Sequence, residues 1–497
     1  MVQRVIAQMA TTSKQREDGL ANLVGHFGRW QLLVCATVSL IKLSSGWVQM
    51  AILFLTPKLV FCHLLIYSLW CWLLTVAENS TCYHDCVRYG YDTSPFENTI
   101  ISEWDLVCER SWLASFTQTM LQLGILVGSI LFGFLSDRYG RKITFLISTT
   151  AVIVLGFAVP FSPNYVLFTT ARFFLGVATA GTMVISFVLL METVGAEYRE
   201  IMGCLYQLPF IVGHMSVPLF AYYLRTWDGY SLALAIPPLI YLGYYFTLNE
   251  SPRWLVSVGR VDEATKIVTK AAEMNGLPTA KIHETLQNMS AEIQRSQQPR
   301  ASYPLLLQRA LRTQTVACCA LWLVAGLTFF GFNQYISQTS PNPFVSVAAA
   351  GAIQIPSILA TMWLIKHFGR KLTTATFFVL GGVCVVILGC VPPSFWTTLA
   401  LGTLGVSCAS VVATSIYIFT SEMFPTVIRN MSLGVASTSM RVGSMIAPFI
   451  SNLSLTIPWL PTVIFGVAPI AAGAVCFLLP ETKGTILPDS MEDRITR

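Results

Sequence analysis

"GFLSDRYGRK", residues 133–142, interrupts a run of more than twenty nearly uncharged residues, and another apolar run follows it. Asp137, Arg138, Arg141 and Lys142 read as a charged hairpin between two greasy segments. "WLIKHFGRK", residues 363–371, has the same setting 229 residues later. Two further motifs repeat in the same order. Glu192 precedes Arg199 by seven positions, and Glu422 precedes Arg429 by seven, at an offset of 230. "LNESPRW" and "LPETKG" carry Glu250 and Glu481, 231 residues apart. Three charged motifs in register argue for a duplicated unit. The second copy is degenerate, with Met362 at the position of Gly133 and Lys366 at that of Asp137.

The unit lies in a membrane. Of 497 residues, 54% are hydrophobic and 11% charged, against about 25% charged in soluble domains. A chain so poor in charge cannot cover its surface for water. A bilayer-crossing helix needs about 20 apolar residues. Spans are predicted near 30–54, 112–135, 143–161, 165–190, 201–223 and 231–248. Six more follow near 315–336, 344–365, 372–391, 396–420, 431–454 and 459–479. The expected fold is an all-α membrane protein of twelve helices in two pseudo-symmetric six-helix bundles around a midplane site. Its parts are an N-terminal segment (1–29), a first bundle (30–249), a polar linker (250–314), a second bundle (315–479) and a tail (480–497).

Positive charge sets the orientation. With both termini cytosolic, the inner segments hold 24 of the 31 Lys and Arg residues. The net charge of +6 is mostly this bias and carries no nucleic-acid signal. The polar first 29 residues predict no cleavable signal peptide. Loop 56–111 then falls outside, with Cys62, Cys71, Cys82, Cys86 and Cys108 as disulfide candidates and Asn79 as a glycosylation acceptor. Segment 59–77 is apolar enough to span, but a thirteenth helix would misplace the loop or a terminus, so it reads as an apolar part of the outer loop or as a sequence error.

The motifs resemble a known family. "GFLSDRYGRK" is similar to the signature loop of the major facilitator superfamily. "TIISEWDLVCERSW" (99–112), "METVGAEYR" and "SEMFPTVIRNMSLGVAST" resemble solute carrier family 22, the organic cation, anion and carnitine transporters. The resemblance runs from about Gly25 to Lys483. Sugar porters are the alternative, but span seven reads "WLVAGLTFFGFNQY", with aromatics where they carry glutamines. The resemblance implies alternating access at the plasma membrane. It also implies a gate at the inner ends of the helices, built from Gly133, Asp137, Arg138, Gly140, Arg141, Glu192, Arg199, Arg370, Glu422 and Arg429. Its ion pairs tie the halves together when the site faces outward. Gly133 is expected to let helices approach closely, and Gly140 to allow a sharp turn.

Charges deep in a span are functional candidates. Lys42 lies in span one and Arg441 in span eleven, neither with an acidic helix neighbour. Family members that carry anions or carnitine resemble the Arg441 motif, whereas cation carriers tend to have aspartate there. A family acid in span eight is Gln354 here, and the anion carriers' lysine is Ile358. Arg441 and the missing acid favour an organic anion or a carnitine-like zwitterion over a cation, while the missing lysine departs from the pure anion carriers and leaves open a zwitterion bound by its carboxylate. Phe329, Phe330 and Tyr335 resemble the family's aromatic patch. Tyr206, Gln207 and Tyr417 are expected neighbours, with Gln118 and Gln122 lining the cavity. No Walker-type loop, metal spacing or catalytic constellation is present. A carrier without cofactor, metal or enzymatic activity is expected, partnered by a small organic ion, the bilayer and a coupling or exchange ion. The contrasting reading is a non-transporting receptor on a transporter scaffold.

Overall fold

The computed structural model describes residues 19–57, 59, 61–64, 88–295, 306, 308, 311–392, 394–424 and 426–483. Among them, nine helices are long and apolar enough to cross a bilayer. Three more segments complete twelve spans. Span 6 is broken: Trp227–Ala235 is α-helical, Pro237–Gly243 is a 3-10 helix and Tyr244–Thr247 resumes. Proline at 237 and 238 removes the backbone donors an α-helix would need there. Span 11 is Thr426–Asn452 and span 12 is Leu460–Cys476.

The first half contributes span 1 (Arg29–Leu55), span 2 (Ser111–Tyr139), span 3 (Arg141–Ala158), span 4 (Tyr165–Thr193) and span 5 (Ile201–Tyr223). The second contributes span 7 (Arg312–Thr339), span 8 (Pro343–Phe368), span 9 (Arg370–Cys390) and span 10 (Phe395–Met423). The charged hairpin is tighter than the sequence suggested. Asp137 and Arg138 lie on span 2 itself, and Gly140 alone separates it from span 3. Gly140 has φ +104°, and a Cβ there would collide with the Glu250 carboxylate. Gly369, at φ +90°, makes the equivalent corner between spans 8 and 9.

The halves meet along two seams. In one, Ser115 Oγ and Thr119 Oγ1 of span 2 donate to Pro448 O and Met445 O of span 11, at 2.9 and 2.8 Å. In the other, Ile211 of span 5 packs on Ile358 of span 8. Ser337 Oγ of span 7 also donates to Leu53 O of span 1 at 2.9 Å. Phe54 stacks on Phe344 with centroids 5.4 Å apart. These contacts close the face that carries the loop after span 1. Toward the opposite, hairpin face, spans 2 and 11 separate. A Cβ at Gly133 or at Gly434 would meet nothing within 4 Å. The close approach expected at Gly133 is not seen among the described residues in this conformation.

The linker is folded rather than an extended tether. Helices Pro252–Ser257, Val261–Asn275 and Ile282–Arg295 share a core with Leu20, Val24 and Trp30. Asn275 joins them to the N-terminal segment. Its Oδ1 accepts from Trp30 N at 3.1 Å, and its Nδ2 donates to Val24 O at 2.7 Å and Gln31 Oε1 at 2.8 Å.

Outside the spans, Phe61–Leu64 pairs antiparallel with Arg88–Tyr91. The strand at 61–64 means that 59–77 is not one continuous helix. Cys71, Cys82, Cys86 and Asn79 lie outside the described residues. Cys62 lies on the first strand, opposite Gly90, and Cys108 opens a 3-10 turn before span 2.

Candidate functional site

Lys42 and Arg441 enter the space between the halves from spans 1 and 11. They lie 13 and 15 residues from the hairpin-face ends of their helices, about 20 Å deep at 1.5 Å per residue. Arg441 is close enough for the two charges to repel. Lys42 Nζ lies 4.8 Å from the Tyr206 ring centroid and 5.8 Å from that of Phe210. Its hydrogen bond to Gln207 Oε1 is long, at 3.5 Å. Among the described residues the Arg441 guanidinium has no hydrogen-bond or ion-pair partner. Tyr417, which interacts electrostatically with Arg441, is 40% exposed and so open to the chamber. Its ring packs edge-on against Trp322, with centroids 4.3 Å apart, and Trp322 Nε1 is held by Thr420 Oγ1 at 2.9 Å. The site therefore joins two cations and a wall of ring faces, with no acid among the described residues. Such an arrangement can take a carboxylate, sulfate or phosphate between the charges. Ring faces also suit a flat organic body or a quaternary ammonium.

The structure brings together Lys42, Tyr206, Gln207, Tyr417 and Arg441. It places Gln354, Phe329, Phe330, Tyr335 and Gln118 elsewhere. Gln354 is buried in the seam between spans 5 and 8, where Nε2 donates to His214 Nδ1 at 2.8 Å and to Ala350 O at 3.0 Å. Phe329, Phe330 and Tyr335 are buried in the apolar cluster that includes Phe54 and Phe96 of the loop-face closure. The Tyr335 hydroxyl pairs with Thr462 Oγ1 at 2.9 Å, inside the second half. Gln118 is buried within the first half rather than facing the chamber. Its Oε1 accepts from Arg172 Nη2 at 2.8 Å. Gln122 is fully buried one turn further on, with both amide atoms lacking a partner.

The hairpin face carries the repeated charges as two matching braces. In the first half, Arg141 bonds Asp137 at 3.0 Å and Glu192 Oε1 at 3.0 Å. Glu250 then receives Arg141 N at 2.9 Å and Lys142 N at 3.1 Å. In the second half, Arg370 Nη2 bonds Glu422 Oε1 at 2.6 Å. Glu481 receives Arg370 N at 3.0 Å and Lys371 N at 3.1 Å. Each glutamate caps the free N–H groups at a helix start, where the helix dipole also favours a negative charge. These described pairs lie within one half each, in a structure whose spans 2 and 11 are apart on this side. Arg138 is exposed beside Tyr139. Arg199 donates from Nε to Val194 O at 3.4 Å, two residues before span 5, and Arg429 lies in the first turn of span 11.

Sequence reasoning gave Glu250 and Glu481 no role, although their 231-residue spacing in the repeat was the available signal. It also passed over Arg172, Phe210, Trp322 and His214. Arg172 is charged and inside a span, so it was detectable. The others look like any apolar-helix residue until the fold sets them opposite Lys42, Tyr417 or Gln354.

The fold, the paired halves and the chamber define a multi-pass membrane carrier, a secondary transporter of the major facilitator type and not an enzyme. The profile described as "Sugar (and other) transporter" matches residues 76–492. The chain is 31% identical to the "Organic cation transporter protein" of Drosophila melanogaster, over 96% of this chain and 94% of that one. It is 33% identical to human "Solute carrier family 22 member 12", over 81% of this chain and 74% of that one. The inward-open structure of the xylose transporter XylE from E. coli superposes with a TM-score of 0.64 at 18% identity, over 92% of this chain and 98% of that one. The chain belongs to the sugar (and other) transporter family of the major facilitator superfamily, with solute carrier family 22 proteins among its relatives.

Proposed function

We propose that this protein moves small organic anions, or zwitterions bound through their carboxylate, across the plasma membrane by alternating access. One observation carries the reading: Lys42 and Arg441 share a chamber in which the described residues supply no acid. A buried positive charge is costly unless compensated. A substrate carboxylate would compensate both, while a simple cation would add a third positive charge. Tyr206, Phe210 and Tyr417 offer faces for the organic part. In this reading the hairpin face and both termini are cytosolic, and the structure corresponds to an inward-facing state. The gate residues Arg199 and Arg429 approach the opposite half when the hairpin face closes. Loop 56–111 is extracellular, glycosylated at Asn79, and bridged by disulfides that include Cys108.

The relatives named for organic cations favour a second reading, a cation carrier using the same ring faces. Uptake of labelled carnitine, urate and tetraethylammonium by cells expressing the protein separates the two. Saturable uptake of carnitine or urate supports the proposal. Uptake of tetraethylammonium alone would refute it.

A further inference from the structure

His214 lies in the seam between the halves, 13 residues into span 5, about 20 Å from the hairpin face, and is fully buried. Its contact with Gln354 crosses from one half to the other, and the hydrogen bonds there fix the state of the ring. Gln354 Nε2 donates to Ala350 O at 3.0 Å, one turn back on span 8. Turning the amide over would set its oxygen against that carbonyl, so the N–H side faces His214 Nδ1 at 2.8 Å. Nδ1 must then accept, and the imidazole is neutral, with its proton on Nε2. Nε2 is buried without a partner. A second proton, on Nδ1, would point at the Gln354 N–H. No carboxylate is near to offset its charge. Span 8 carries no titratable group before Lys366. Span 1 offers Lys42, a cation, which lies beside Tyr206 and Phe210. Span 6 offers Tyr230, whose hydroxyl donates to Ala51 O, and Asp228, which is exposed. On span 5 itself the nearest are Tyr206 and Tyr222, eight residues to either side. The packing leaves little room for water: a Cβ on Gly351 would stand 2.8 Å from Met215 Cα, and one on Gly46 2.5 Å from Phe210 O.

We infer, resting on the alternating access proposed above, that His214 is a proton-binding site filled only when this seam opens, so that acid on the loop side holds the carrier open to that side. Opening the chamber to the loop face separates spans 5 and 8 where Gly351 meets Met215, and parts His214 from Gln354. Water then reaches the ring, and an imidazole in water takes up a proton with a midpoint near pH 6.5. The closed seam accepts only the neutral ring, because a buried charge without a partner is costly. The proton must therefore leave before the seam closes. It returns to the loop side, so it inhibits and is not carried across. The open state binds more protons than the closed one, so falling pH favours opening. From about pH 7.5 to 5.5 the open state gains about 10-fold over the closed one.

The test is initial uptake by cells expressing the full chain, with a carried organic ion that keeps one charge state over this range. External pH is stepped while internal pH is clamped, and then the reverse. Which ion is carried decides between the two functional readings; the pH response decides the role of His214. Wild-type uptake should fall by up to about 10-fold on external acidification, and internal acid should not reproduce the fall. His214→Asn keeps an acceptor for the Gln354 amide but cannot titrate, so its uptake should be level with pH. Gln354→Glu supplies the missing counter-charge, lets the closed seam keep the proton, and should also lose the fall. A level wild-type response overturns the inference. So does a fall that persists in His214→Asn, or an equal response to internal acid. If His214→Asn does not reach the surface, an undiminished fall in Gln354→Glu overturns it instead.

Discussion

Replacing Glu192 with Gln, and separately Asp137 with Asn, distinguishes a buried brace from a surface pair on the same arginine. Both acids contact Arg141 at 3.0 Å, but their settings differ: the Asp137 side chain is 77% exposed, and that of Glu192 19%. An exposed pair contributes about 0.2–1 kcal/mol. Glu192 receives Nη2 at 3.0 Å and Nε at 3.3 Å on the same oxygen. Charged hydrogen bonds in such a setting are worth about 1.5–3 kcal/mol. Glutamine keeps an acceptor but not the charge, so its expected cost is about 1–2 kcal/mol, roughly 5- to 30-fold in an equilibrium. If the brace differs between conformations, that factor appears in turnover. The assay is initial uptake rate at matched surface level, with the thermal midpoint of purified protein alongside. Glu192→Gln should be the more damaging by both measures, and Asp137→Asn should lose no more than about 5-fold. If Asp137→Asn slows transport as much as Glu192→Gln, burial does not set the strength of these pairs and the reasoning fails.

Other outcomes follow from the same geometry. Gly140→Ala should impair folding and surface expression, because an alanine at φ +104° is strained and its Cβ meets Glu250 and Trp254. Gly133→Ala, facing open space, should express normally; a surface-biotinylation comparison of the two decides. Asn275→Ala should free the N-terminal segment from the linker helices, since three hydrogen bonds converge on that side chain. Limited proteolysis should then cleave the first 30 residues faster, and an unchanged rate would remove Asn275 from that role.

How much of this was legible beforehand varies with the physics. Span positions follow from hydropathy, which is local, and the charged repeat marks the two halves because its spacing is a property of the chain. Gly140 was readable because a sharp turn between helices demands a positive φ. The packing at Gly133 was not readable, since whether a small residue is packed depends on how far apart the halves stand. Lys42 and Arg441 stood out as charges in apolar helices. The partners of Gln354, Gln118 and Tyr335 were not readable, because a polar group in a helix satisfies itself on whichever neighbour the packing supplies. His214, Arg172 and Thr462 are those neighbours, all distant in sequence. The folded linker was concealed by its polar composition, since its longest helix buries only the stripe through Ala264, Val268, Ala271 and Ala272.

The most direct measurement of the central claim is uptake of one anion and one cation by Arg441→Lys and Arg441→Asp at matched surface levels. Lysine keeps the charge but loses the planar fork, so the account predicts weaker anion affinity with transport retained. Aspartate places a negative charge beside Lys42, where reversing one charge changes the interaction by a few kcal/mol at an effective dielectric of about 20. Anion uptake should then be abolished. Unchanged anion affinity in both variants would make Arg441 a structural residue and contradict the account.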